Sequence, residues 1–553
     1  MTNRLILANV LGTPSWVDFW LIIVLALLNG ILALFMANKM LQILQLSGYK
    51  MRGFTDWLKQ TKFNYWGRLM IITALSLAAM LITNVLLEDL LVHRALQYTS
   101  VMFYLVFVLV YIINTFSTYK KSPMKYTMRM TRLVSVVVTL SVLLTVGLMY
   151  VSVNFMQYLP AAGMVVLPML LPLVVMVAHA IMIPIEKTIS KTFLNRAKLK
   201  LKKRNNLKVV AVTGSYGKTT VKNIIAEILA EKYKVCVTPF SYNTPLGISK
   251  TILENLEETD NVFVVEMGAR NPGDIKELCE IVKPSVGVIT GIGNQHMATF
   301  GKQDTVVKTK GELVDYIAKN KGFMVFNTDG DLAKTMYENA SCKKEQASIN
   351  ENFGIYASDI KCTKDGSEFT LHINDEQIKN VSTTLLGEHN VSNILVAVCV
   401  AKQLGLTNEE IVAGINKLIP TAHRLAIVPS TNALVVIDDA YNGSVEGYKA
   451  ALNVLSKFDG KKVVITPGLV ELGKEQFNCN FEFGRAMASV ADYVIITGVI
   501  NYDAIAAGLE FAEFESHKII RAGTLNQAVC MLGSITNPGD VVLFENDLPD
   551  NYV

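Results

Sequence analysis

A short glycine-containing segment is the clearest chemical feature of this sequence. It follows the apolar run Val209–Val212 and consists of Gly214, Ser215, Tyr216, Gly217, Lys218, Thr219 and Thr220. Glycines let backbone N–H groups approach phosphate oxygens, and the start of a following helix adds partial positive charge. The lysine of such a loop reaches the β- and γ-phosphates, and the next hydroxyl binds Mg²⁺. The segment therefore predicts binding of a nucleoside triphosphate, although it is shorter than the usual G-x-x-x-x-G-K-[ST] loop.

Three further side chains lie behind other predicted strands. Glu266 comes directly after the run Phe263–Val265, and His296 follows the run Val286–Thr290. Because the carboxyl ends of parallel strands meet at one edge of a sheet, we expect both side chains near the phosphate loop. Carboxylate oxygens are ligands that Mg²⁺ prefers. The third side chain, Lys310, lies a little further along the chain. Taken singly, a surface glutamate, a core histidine and a solvated lysine are the alternatives, but the shared spacing favours a functional site.

Elements that could position these side chains follow Leu207. Strand-like runs lie at Phe263–Val265, Val286–Thr290 and Phe323–Phe326, and helical patterns at Asp274–Val282, Leu313–Lys319 and Asn393–Leu404. This alternation is typical of a doubly wound α/β domain with a phosphate loop at a strand end. The polar, turn-rich residues 355–384 predict a small β excursion within that domain.

A second α/β set is predicted beyond Pro420 and Thr421, which we interpret as a hinge. Its strand-like runs lie at Ala433–Ile437, Lys462–Thr466, Tyr493–Thr497 and Val541–Phe544. The predicted fold is an α-helical membrane domain followed by a doubly wound P-loop ATPase domain and a Rossmann-like C-terminal domain. The predicted limits of these three domains are 1–204, 205–420 and 421–553.

The first part of the chain is much more apolar than the rest. Hydrophobic residues make up 51% of the 553 residues and the mean hydropathy is +0.34, too high for a wholly soluble protein. Five runs are long enough, at about 20 residues each, to cross a bilayer. They lie near Phe19–Ala37, Leu69–Leu87, Val101–Phe116, Leu133–Val153 and Ala161–Ile183. Pro168, Pro172 and Pro184 are expected to kink or interrupt the fifth run.

Charges in the connecting loops predict the orientation of these runs. The loops after the first, third and fifth runs are rich in lysine and arginine, and the other loops are poor in them. Because basic loops stay in the cytoplasm, we expect the N-terminus outside and everything after residue 185 inside. No cleavable signal peptide is predicted, since the first run starts late and is too long. The sequence thus predicts a multi-pass protein of the bacterial cell membrane, with cytoplasmic catalytic domains and membrane lipid around its helices.

The remaining composition excludes several other classes. The formal net charge is only +5 and the basic residues cluster beside apolar runs, so no nucleic-acid partner is predicted. All 7 cysteines lie between Cys236 and Cys530 and none forms a C-x-x-C pair, so neither a zinc ribbon nor a disulfide framework is indicated. His179 is ionisable within the fifth run, and a hydrogen bond between helices is its simpler interpretation.

From about Val209 onward the chain resembles the Mur ligase family, the ATP-dependent amide ligases of cell-wall precursor synthesis. The matching segments, in order, are residues 213–220, 242–247, 266–275, 293–296, 310–312, 387–393, 422–424 and 438–442. Within the family the chain is most similar to the D-alanyl-D-alanine-adding, MurF-type ligases. The order and spacing of eight segments carry this resemblance.

The resemblance implies a phosphate and metal site. Lys218 and Asn243 match phosphate contacts, while Thr219 and Glu266 match the ligands of a Mg²⁺ that bridges the ATP phosphates. His296 and a carbamylated Lys310 match the ligands of a second Mg²⁺. A carbamate would turn the lysine into the oxygen donor that a metal needs. Lys218, His296 and Lys310 are the implied catalytic residues.

The resemblance also implies a nucleotide site and a reaction. Asn390 and Asn393 match nucleotide-contacting asparagines, and Arg424 and Asp439 match groups that reach phosphate and ribose when the C-terminal domain closes. In the family, ATP activates an acceptor carboxylate as an acyl phosphate, which an incoming amine attacks to form an amide. The implied partners are a small-molecule or lipid-linked cell-wall precursor and an amino acid or dipeptide such as D-Ala-D-Ala.

Three departures from the family leave the substrates open. The membrane runs stand where the family has a soluble domain that binds the UDP-sugar. A late basic Lys-Gly-Ser-Arg stretch is replaced by the acidic residues 544–550, and residues 467–473 keep only the Glu-Leu-Gly end of their counterpart. We therefore expect a membrane-associated or lipid-linked acceptor, or a different envelope precursor, and the amine stays open.

Other classes of protein compete with a cell-wall ligase. An ATP-driven transporter would combine spans with a phosphate loop, but the sequence has no Leu-Ser-Gly-Gly-Gln-like signature. A non-catalytic membrane scaffold would need neither Lys218 nor Glu266, and ATP hydrolysis that depends on Lys218 separates it from an enzyme. A polyamino-acid synthase, with a Mur-like ATPase beside membrane spans, is the enzymatic alternative.

Overall fold

The chain forms two compact units, one ending at Ile189 and the other beginning at Ser190. The computed structural model describes residues 16–61, 65–86, 90–117, 124–155, 161–293, 300, 302–430, 433–441 and 443–547. The domain limits placed at residues 204 and 420 stay predictions.

The first unit is helical. Its helices are α1 (Trp16–Leu46), α2 (Met51–Gln60), α3 (Trp66–Leu86), α4 (Leu90–Ser117), α5 (Met128–Phe155) and α6 (Ala161–Lys202). The five predicted apolar runs fall on α1, α3, α4, α5 and α6. Helix α6 continues unbroken over 42 residues that include Pro168, Pro172 and Pro184, so the prolines do not interrupt it.

Three of these helices are long and apolar enough to cross a membrane. The qualifying stretches are Ile22–Leu46, Met128–Val151 and Met164–Lys202. The described apolar parts of α3 and α4 are shorter, at Trp66–Ala79 and Val101–Thr115. The structure therefore supports a membrane unit by length and composition.

Buried polar side chains connect the helices of the first unit. Asn29 on α1 donates to Thr145 Oγ1 at 3.0 Å and to the carbonyl of Met164 at 3.1 Å. The hydroxyl of Tyr104 donates to Asn29 Oδ1 at 2.7 Å. His179 Nε2 lies 3.0 Å from the carbonyl of Tyr49, in agreement with a hydrogen bond between elements. Because polar groups away from water need partners, these contacts fix neighbouring helices relative to one another.

The second unit begins with a nine-stranded sheet. Its strands are β1 (Lys208–Thr213), β2 (Val235–Val237), β3 (Val262–Glu266), β4 (Val286–Ile289), β5 (Phe323–Asn327), β6 (Lys343–Ser348), β7 (Ile355–Thr363), β8 (Gly366–Ile373) and β9 (Glu376–Thr383). The strand order is β2-β3-β1-β4-β5-β6-β7-β8-β9. Pairing is parallel from β2 to β7 and antiparallel from β7 to β9, so the predicted β excursion extends the main sheet.

Helices cover both faces of this sheet. They are α7 (Lys218–Leu229), α8 (Pro245–Glu254), α9 (Asp274–Val282), α10 (Gln303–Lys319), α11 (Asp331–Asn339), α12 (Glu388–Leu404) and α13 (Asn408–Asn416). Alternate residues of β1 enter two different apolar cores, with Val210 and Val212 in one and Val209 and Ala211 in the other. Such two-sided burial explains why the strand is continuously apolar. Strand order reverses at β1, which puts the ends of β1, β3 and β4 beside one crevice.

A second sheet of six strands follows. Its strands are β10 (Ala426–Val428), β11 (Val435–Asp439), β12 (Lys462–Thr466), β13 (Tyr493–Thr497), β14 (Ile519–Ala522) and β15 (Val541–Glu545), in the order β10-β11-β15-β12-β13-β14. Its helices are α14 (Val445–Ser456), α15 (Gln476–Ala488), α16 (Tyr502–Phe511) and α17 (Leu525–Ile535). All pairings are parallel except that of β10 with β11, as expected for a Rossmann-like domain.

Two glycines let α15 and α16 pack backbone against backbone. A Cβ on Gly484 would lie 2.3 Å from the carbonyl oxygen of Ile505, and one on Gly508 would lie 2.0 Å from that of Phe481. Real Cβ atoms do not approach backbone oxygens so closely, and backbone cannot move aside like a flexible side chain. Glycine is therefore required on both helices at this crossing.

Candidate active site

The phosphate loop joins β1 to α7 and is closed against the segment that follows β4. The amide of Ser215 donates to the carbonyl of Gly291 at 2.7 Å, and Thr290 Oγ1 donates to the carbonyl of Tyr216 at 2.5 Å. A Cβ on Gly214 would lie 2.0 Å from Thr290 Oγ1, so only glycine fits there. The loop is therefore shaped by the neighbouring strand end before any nucleotide arrives.

Lys218 begins α7, directly after Gly217 with its φ of 78°. Its ammonium group donates to the carbonyls of Gly214 at 2.9 Å and Ser215 at 2.8 Å. Loss of hydration lowers the pKa of Lys218 to about 8, against the opposing attraction of Glu266. Lys218 thus rests on the phosphate loop itself, where it can exchange these carbonyls for phosphate oxygens.

Glu266 is the centre of the polar contacts at the end of β3. Its Oε2 accepts a hydrogen bond from the Thr219 hydroxyl at 2.9 Å, and its Oε1 accepts one from Asn243 Nδ2 at 2.9 Å. Only 1% of Glu266 is exposed. A hydroxyl and a carboxylate oxygen at this separation are hard donors that fit Mg²⁺. The structure thus brings together three of the predicted residues around one carboxylate; Thr220, the last residue of the loop motif, lies in the first turn of α7.

Lys222 also points to this carboxylate, one turn further along α7. Its ammonium nitrogen lies 3.7 Å from Glu266 Oε2 and donates to the carbonyls of Thr238 at 2.7 Å and Phe240 at 2.6 Å. Burial lowers its pKa, while Glu266 opposes that shift. Sequence reasoning missed Lys222, because a lysine in an amphipathic helical pattern predicts a solvated side chain.

Lys310 on α10 is buried beside the same charges. Only 4% of it is exposed, and the loss of hydration lowers the pKa of its amine to about 7. Repulsion from Lys218 adds to this shift, and attraction by Asp274, Glu266 and Glu312 opposes it. A substantial neutral fraction of this amine therefore exists near neutral pH, which ordinary lysines do not have.

The predicted asparagines lie in the first turns of α12. Asn390 Nδ2 donates to the carbonyl of Leu386 at 2.8 Å, and Asn393 Nδ2 donates to Asn390 Oδ1 at 3.2 Å. Asn393 Oδ1 lies 3.3 Å from the position that a Cβ on Gly217 would take. This contact places the asparagine pair against the phosphate loop, and its predicted contact with the nucleotide stays a prediction.

Arg424 and Asp439 lie on the second sheet's side of the hinge. The Arg424 guanidinium carbon lies 4.4 Å from the centre of the Tyr441 ring, and its charge helps to lower the pKa of Lys218. Burial raises the pKa of Asp439 to about 6, although Arg424 opposes the shift. The charge of Arg424 therefore lowers the pKa of both Lys218 in the phosphate loop and Asp439 in the second sheet.

Glu545 is a second buried carboxyl beside Asp439. The two residues are in register on the parallel strands β11 and β15, and Glu545 is 0% exposed. Burial and the neighbouring Asp439 raise the pKa of Glu545 well above its usual range. Within the described part of the chain no donor bonds to either Glu545 oxygen, and the neighbouring Asp439 carboxyl makes ionisation of both groups together unfavourable. The sequence identified the acidic stretch 544–550 but not this pairing.

Comparison with known proteins assigns this architecture to a family. Residues 212–401 match the Mur ligase middle domain, and residues 423–545 match the Mur ligase glutamate ligase domain. Together they cover more than half of the chain. The chain belongs to the Mur ligase family. The predicted resemblance is thereby confirmed.

Several relatives of this Mur ligase are named UDP-N-acetylmuramoyl-tripeptide–D-alanyl-D-alanine ligases. The UDP-N-acetylmuramoyl-tripeptide–D-alanyl-D-alanine ligase of Bacillus subtilis is 28% identical over 345 residues, which cover 61% of this chain and 72% of the relative. The structure of the MurF ligase of Thermotoga maritima in complex with ADP is 26% identical, with a TM-score of 0.58, covering 65% of this chain and 80% of that one. A MurF structure from Acinetobacter baumannii gives 26% identity and the same TM-score of 0.58, covering 65% and 77%. This Mur ligase is therefore an ATP-dependent, MurF-like ligase of the peptidoglycan-precursor type.

Part of the predicted metal site lies outside the described residues. His296 belongs to this part, so its predicted role stays a prediction. Among the residues that the structure describes, no group of three histidine, cysteine, aspartate or glutamate side chains could hold a metal ion.

Asp329 is a further polar residue that sequence reasoning missed. It follows β5 and accepts hydrogen bonds from Ser348 Oγ at 2.7 Å, from the amide of Ile349 at 3.0 Å and from the Ser392 hydroxyl. Asn327, two residues earlier, donates to Ser392 Oγ at 2.8 Å. This network fixes the first turn of α12, which carries the asparagine pair. A signal was present, since Asp329 follows a strand just as Glu266 does.

Proposed function

We propose that this Mur ligase is a membrane-bound enzyme that joins an amine to the carboxyl group of a cell-wall precursor. The amine would be an amino acid or dipeptide such as D-Ala-D-Ala, and the acceptor a lipid-linked or nucleotide-linked muramoyl peptide. The observation that carries the proposal is the Glu266 cluster. A buried carboxylate contacts the phosphate-loop hydroxyl of Thr219, Asn243 and Lys222 in a chain whose other unit consists of apolar helices.

The reaction proceeds in two bond changes. First, an oxygen of the acceptor carboxylate attacks the γ-phosphorus of ATP, and the bond to the β-γ bridging oxygen breaks with release of ADP. The amine then attacks the acyl phosphate carbon, phosphate leaves, and the nitrogen loses a proton as the amide forms. The acceptor carboxylate and the γ-phosphate are both negative and repel each other. Cationic groups that stabilise the transferring phosphoryl group therefore supply the main catalytic effect.

The chain's own residues have distinct parts in this reaction. Lys218 exchanges the carbonyls of Gly214 and Ser215 for the β- and γ-phosphate oxygens and neutralises part of their charge. Asn390 and Asn393 hold the nucleotide side of the phosphate loop, and Arg424 adds a cation from the C-terminal domain.

Thr219 and Glu266 are the residues that would hold Mg²⁺, and the metal would supply charge neutralisation on the phosphates. We further propose that Lys310 is carbamylated and serves a second metal with His296. Carbamylation needs a neutral amine, and the pKa of about 7 provides it. Because the cations of Lys218 and Lys310 repel each other, converting Lys310 to an anionic carbamate replaces that repulsion with attraction.

We also propose that the helices anchor the enzyme with its N-terminus outside and both Mur domains in the cytoplasm. The basic loops after the first, third and fifth apolar runs support this orientation. ATP and nucleotide-linked precursors are cytoplasmic, so the orientation gives the site access to its substrates. A membrane anchor has a clear purpose when the acceptor is itself in the membrane.

Release of phosphate by the full-length protein in detergent tests the proposal. Mg·ATP is supplied with nucleotide-linked or lipid-linked muramoyl peptides and candidate amines. We expect release only with one acceptor–amine pair, a loss of about 100-fold in Lys218→Ala, and no change in Lys234→Ala, an exposed lysine paired with Glu257 at 2.6 Å.

The outcomes distinguish the candidate functions. Release with every acceptor omitted, or none with any pair while ATP still binds, would contradict a cell-wall ligase and favour another polymer or a scaffold. Full activity of a fragment beginning at Leu207 on a soluble UDP-linked peptide would contradict the lipid-linked acceptor alone.

A further inference from the structure

We propose that Lys222 is a positioning residue of the ATP site, which fixes residues 238–243 and the Glu266 carboxylate so that Asn243 and Glu266 face the phosphate loop. The proposal rests on the proposed use of ATP. It assigns Lys222 a role separate from that of Lys218, which lies one turn earlier on the same helix.

Lys222 is buried to a degree that is exceptional for a lysine. Only 1% of it is exposed, and lysines are almost never fully buried unless they are paired. Its ammonium group donates hydrogen bonds to the carbonyls of Thr238 and Phe240 and forms an ion pair with the Glu266 carboxylate at 3.7 Å. These contacts direct the ammonium group towards protein oxygens and not towards a phosphate group.

The segment that Lys222 contacts is irregular and includes a residue in an unfavourable backbone conformation. Phe240 has a φ of 48°, a left-handed conformation that is unfavourable for a bulky residue, and 80% of the residue is exposed. Burial of the Phe240 side chain therefore does not stabilise this conformation. The two hydrogen bonds from Lys222 fix the backbone on both sides of Pro239, because one goes to the carbonyl of Thr238 and the other to that of Phe240.

Contacts of the same segment lead directly to the metal-binding carboxylate. Thr238 Oγ1 accepts from the amide of Glu266 at 3.1 Å, and Asn243 Nδ2 donates to Glu266 Oε1 at 2.9 Å. The Asn243 carbonyl accepts from the amide of Gly268 at 2.9 Å, where a Cβ would lie 2.7 Å from Asn243 Oδ1. Lys222 on α7 therefore contacts residues 238–243, these residues contact Glu266 at the end of β3, and Glu266 contacts Lys222.

Charge gives Lys222 a second effect on the same carboxylate. Glu266 is 1% exposed, and a buried carboxylate needs a compensating charge or several donors. Lys222 supplies that charge at Oε2, the oxygen that also accepts from the Thr219 hydroxyl. A compensating positive charge therefore lies beside this carboxylate before the phosphates of ATP approach.

Hydrogen exchange on the full-length protein in detergent tests the positioning role. In Lys222→Met the amides of residues 240–244 should exchange at least about tenfold faster than in the unaltered protein, while β1 stays protected. The affinity for ATP, measured with Mg²⁺ and without any acceptor, should fall by about tenfold or more. Lys234→Met, a change of the same kind at an exposed ion pair, should alter neither quantity.

Two further variants separate the possible outcomes. Lys218→Ala should lower ATP affinity without loosening residues 240–244, which distinguishes a phosphate ligand from a positioning residue. If Lys222→Met does not fold, the shorter and still polar Lys222→Gln carries the same measurement. Unchanged exchange in residues 240–244 in a folded variant overturns the proposal. Because neither readout needs turnover, failure to find a ligase substrate leaves this test intact.

Discussion

Lys218 and Lys310 bring two positive charges into one poorly hydrated site. The pKa of Lys218 is lowered to about 8 and that of Lys310 to about 7, in both cases mainly by loss of hydration. Repulsion from Lys218 lowers the pKa of Lys310 further. The same electrostatics that favours phosphate binding therefore keeps a lysine amine partly neutral, a state in which it can react with carbon dioxide.

Carbamylation of Lys310 should rise as the pH passes through 7, because the amine is protonated below its pKa and neutral above it. A ¹³C NMR signal for a carbamate should appear with labelled bicarbonate at pH 8 and weaken at pH 6. Lys310→Ala should abolish the signal and lower phosphate release by about 100-fold. Full activity of that variant would contradict a role for the modified lysine.

Glu545 should make the second sheet less stable at high pH. The pKa of Asp439 is raised to about 6, and that of Glu545 is raised further, so the folded protein holds these protons more tightly than the unfolded chain. Stability from the pair is therefore present at low pH and lost as the pH rises through the folded pKa values. Glu545→Gln keeps a neutral donor for Asp439 at every pH. It should stabilise the protein by about 1 to 3 kcal/mol at pH 8.

Thermal unfolding at pH 8 and pH 5 measures this difference. The advantage of Glu545→Gln should shrink at pH 5, where the unaltered pair already holds its proton. Glu482→Gln is the matched control, since Glu482 is an exposed residue that pairs with Arg485 at 2.9 Å. A variant that is less stable than the parent at pH 8 would show that the pair does not share a proton.

At the scale of elements, the phosphate loop depends on the segment after β4. A Cβ on Gly291 would lie 1.9 Å from the Tyr216 ring. Gly291→Ala should therefore displace Tyr216 and open the loop, with a loss of about tenfold or more in ATP affinity. Gly533→Ala is the control: nothing lies within 4 Å of its Cβ in α17, and it should stabilise the protein by about 0.5 to 1 kcal/mol. Equal ATP affinity in both variants would show that the phosphate loop does not depend on the contact between Gly291 and Tyr216.

Elements with a strong apolar period could be predicted from the sequence, and others could not. The run at β3 gave the position of Glu266 because continuous β-branched residues indicate a buried parallel strand. Strand β6, with the polar sequence Lys343–Ser348, has no such pattern, and it was missed together with the short β2 and β14. The positions of these strands depend on pairing with neighbouring strands, and the local sequence does not indicate that pairing.

Side chains of the site divide in the same way. Glu266 could be predicted because it ends a strongly apolar strand, and Asn390 and Arg424 because their segments resemble those of a known family. Lys310 was marked by its place in the order of these segments. Lys222 could not, since its burial depends on residues 238–243 folding over α7. The pairing of Asp439 with Glu545 depends on the register of strands more than a hundred residues apart in sequence, which no local pattern contains.

At the scale of the whole molecule, a helical unit and two Mur domains lie on one chain. The described helices supply three stretches long and apolar enough for a membrane, while residues 212–545 contain the Mur ligase matches. In the membrane-bound enzyme that we propose, the side of the membrane on which the Mur domains lie is a functional property. Only one side supplies ATP.

Cys530 provides a test of that side without any added label site. The side chain of Cys530 is exposed, whereas those of the other six cysteines are buried or half-buried. All seven cysteines belong to the Mur domains. A membrane-impermeant maleimide should leave Cys530 unlabelled in intact cells and label it after permeabilisation. Cys530→Ala should remove this signal. Labelling of Cys530 in intact cells would reverse the proposed orientation.

The crossing of α15 and α16 bears on how evolution can vary this protein. Gly484 and Gly508 face backbone atoms of each other's helices, and any larger residue at either position would force the helices apart. Neither glycine has a polar side chain or a part in the reaction. Descendants of this chain should nevertheless keep both glycines as strictly as those of the phosphate loop. A map of invariant positions would consequently mark two sites of equal strength, only one of which performs chemistry.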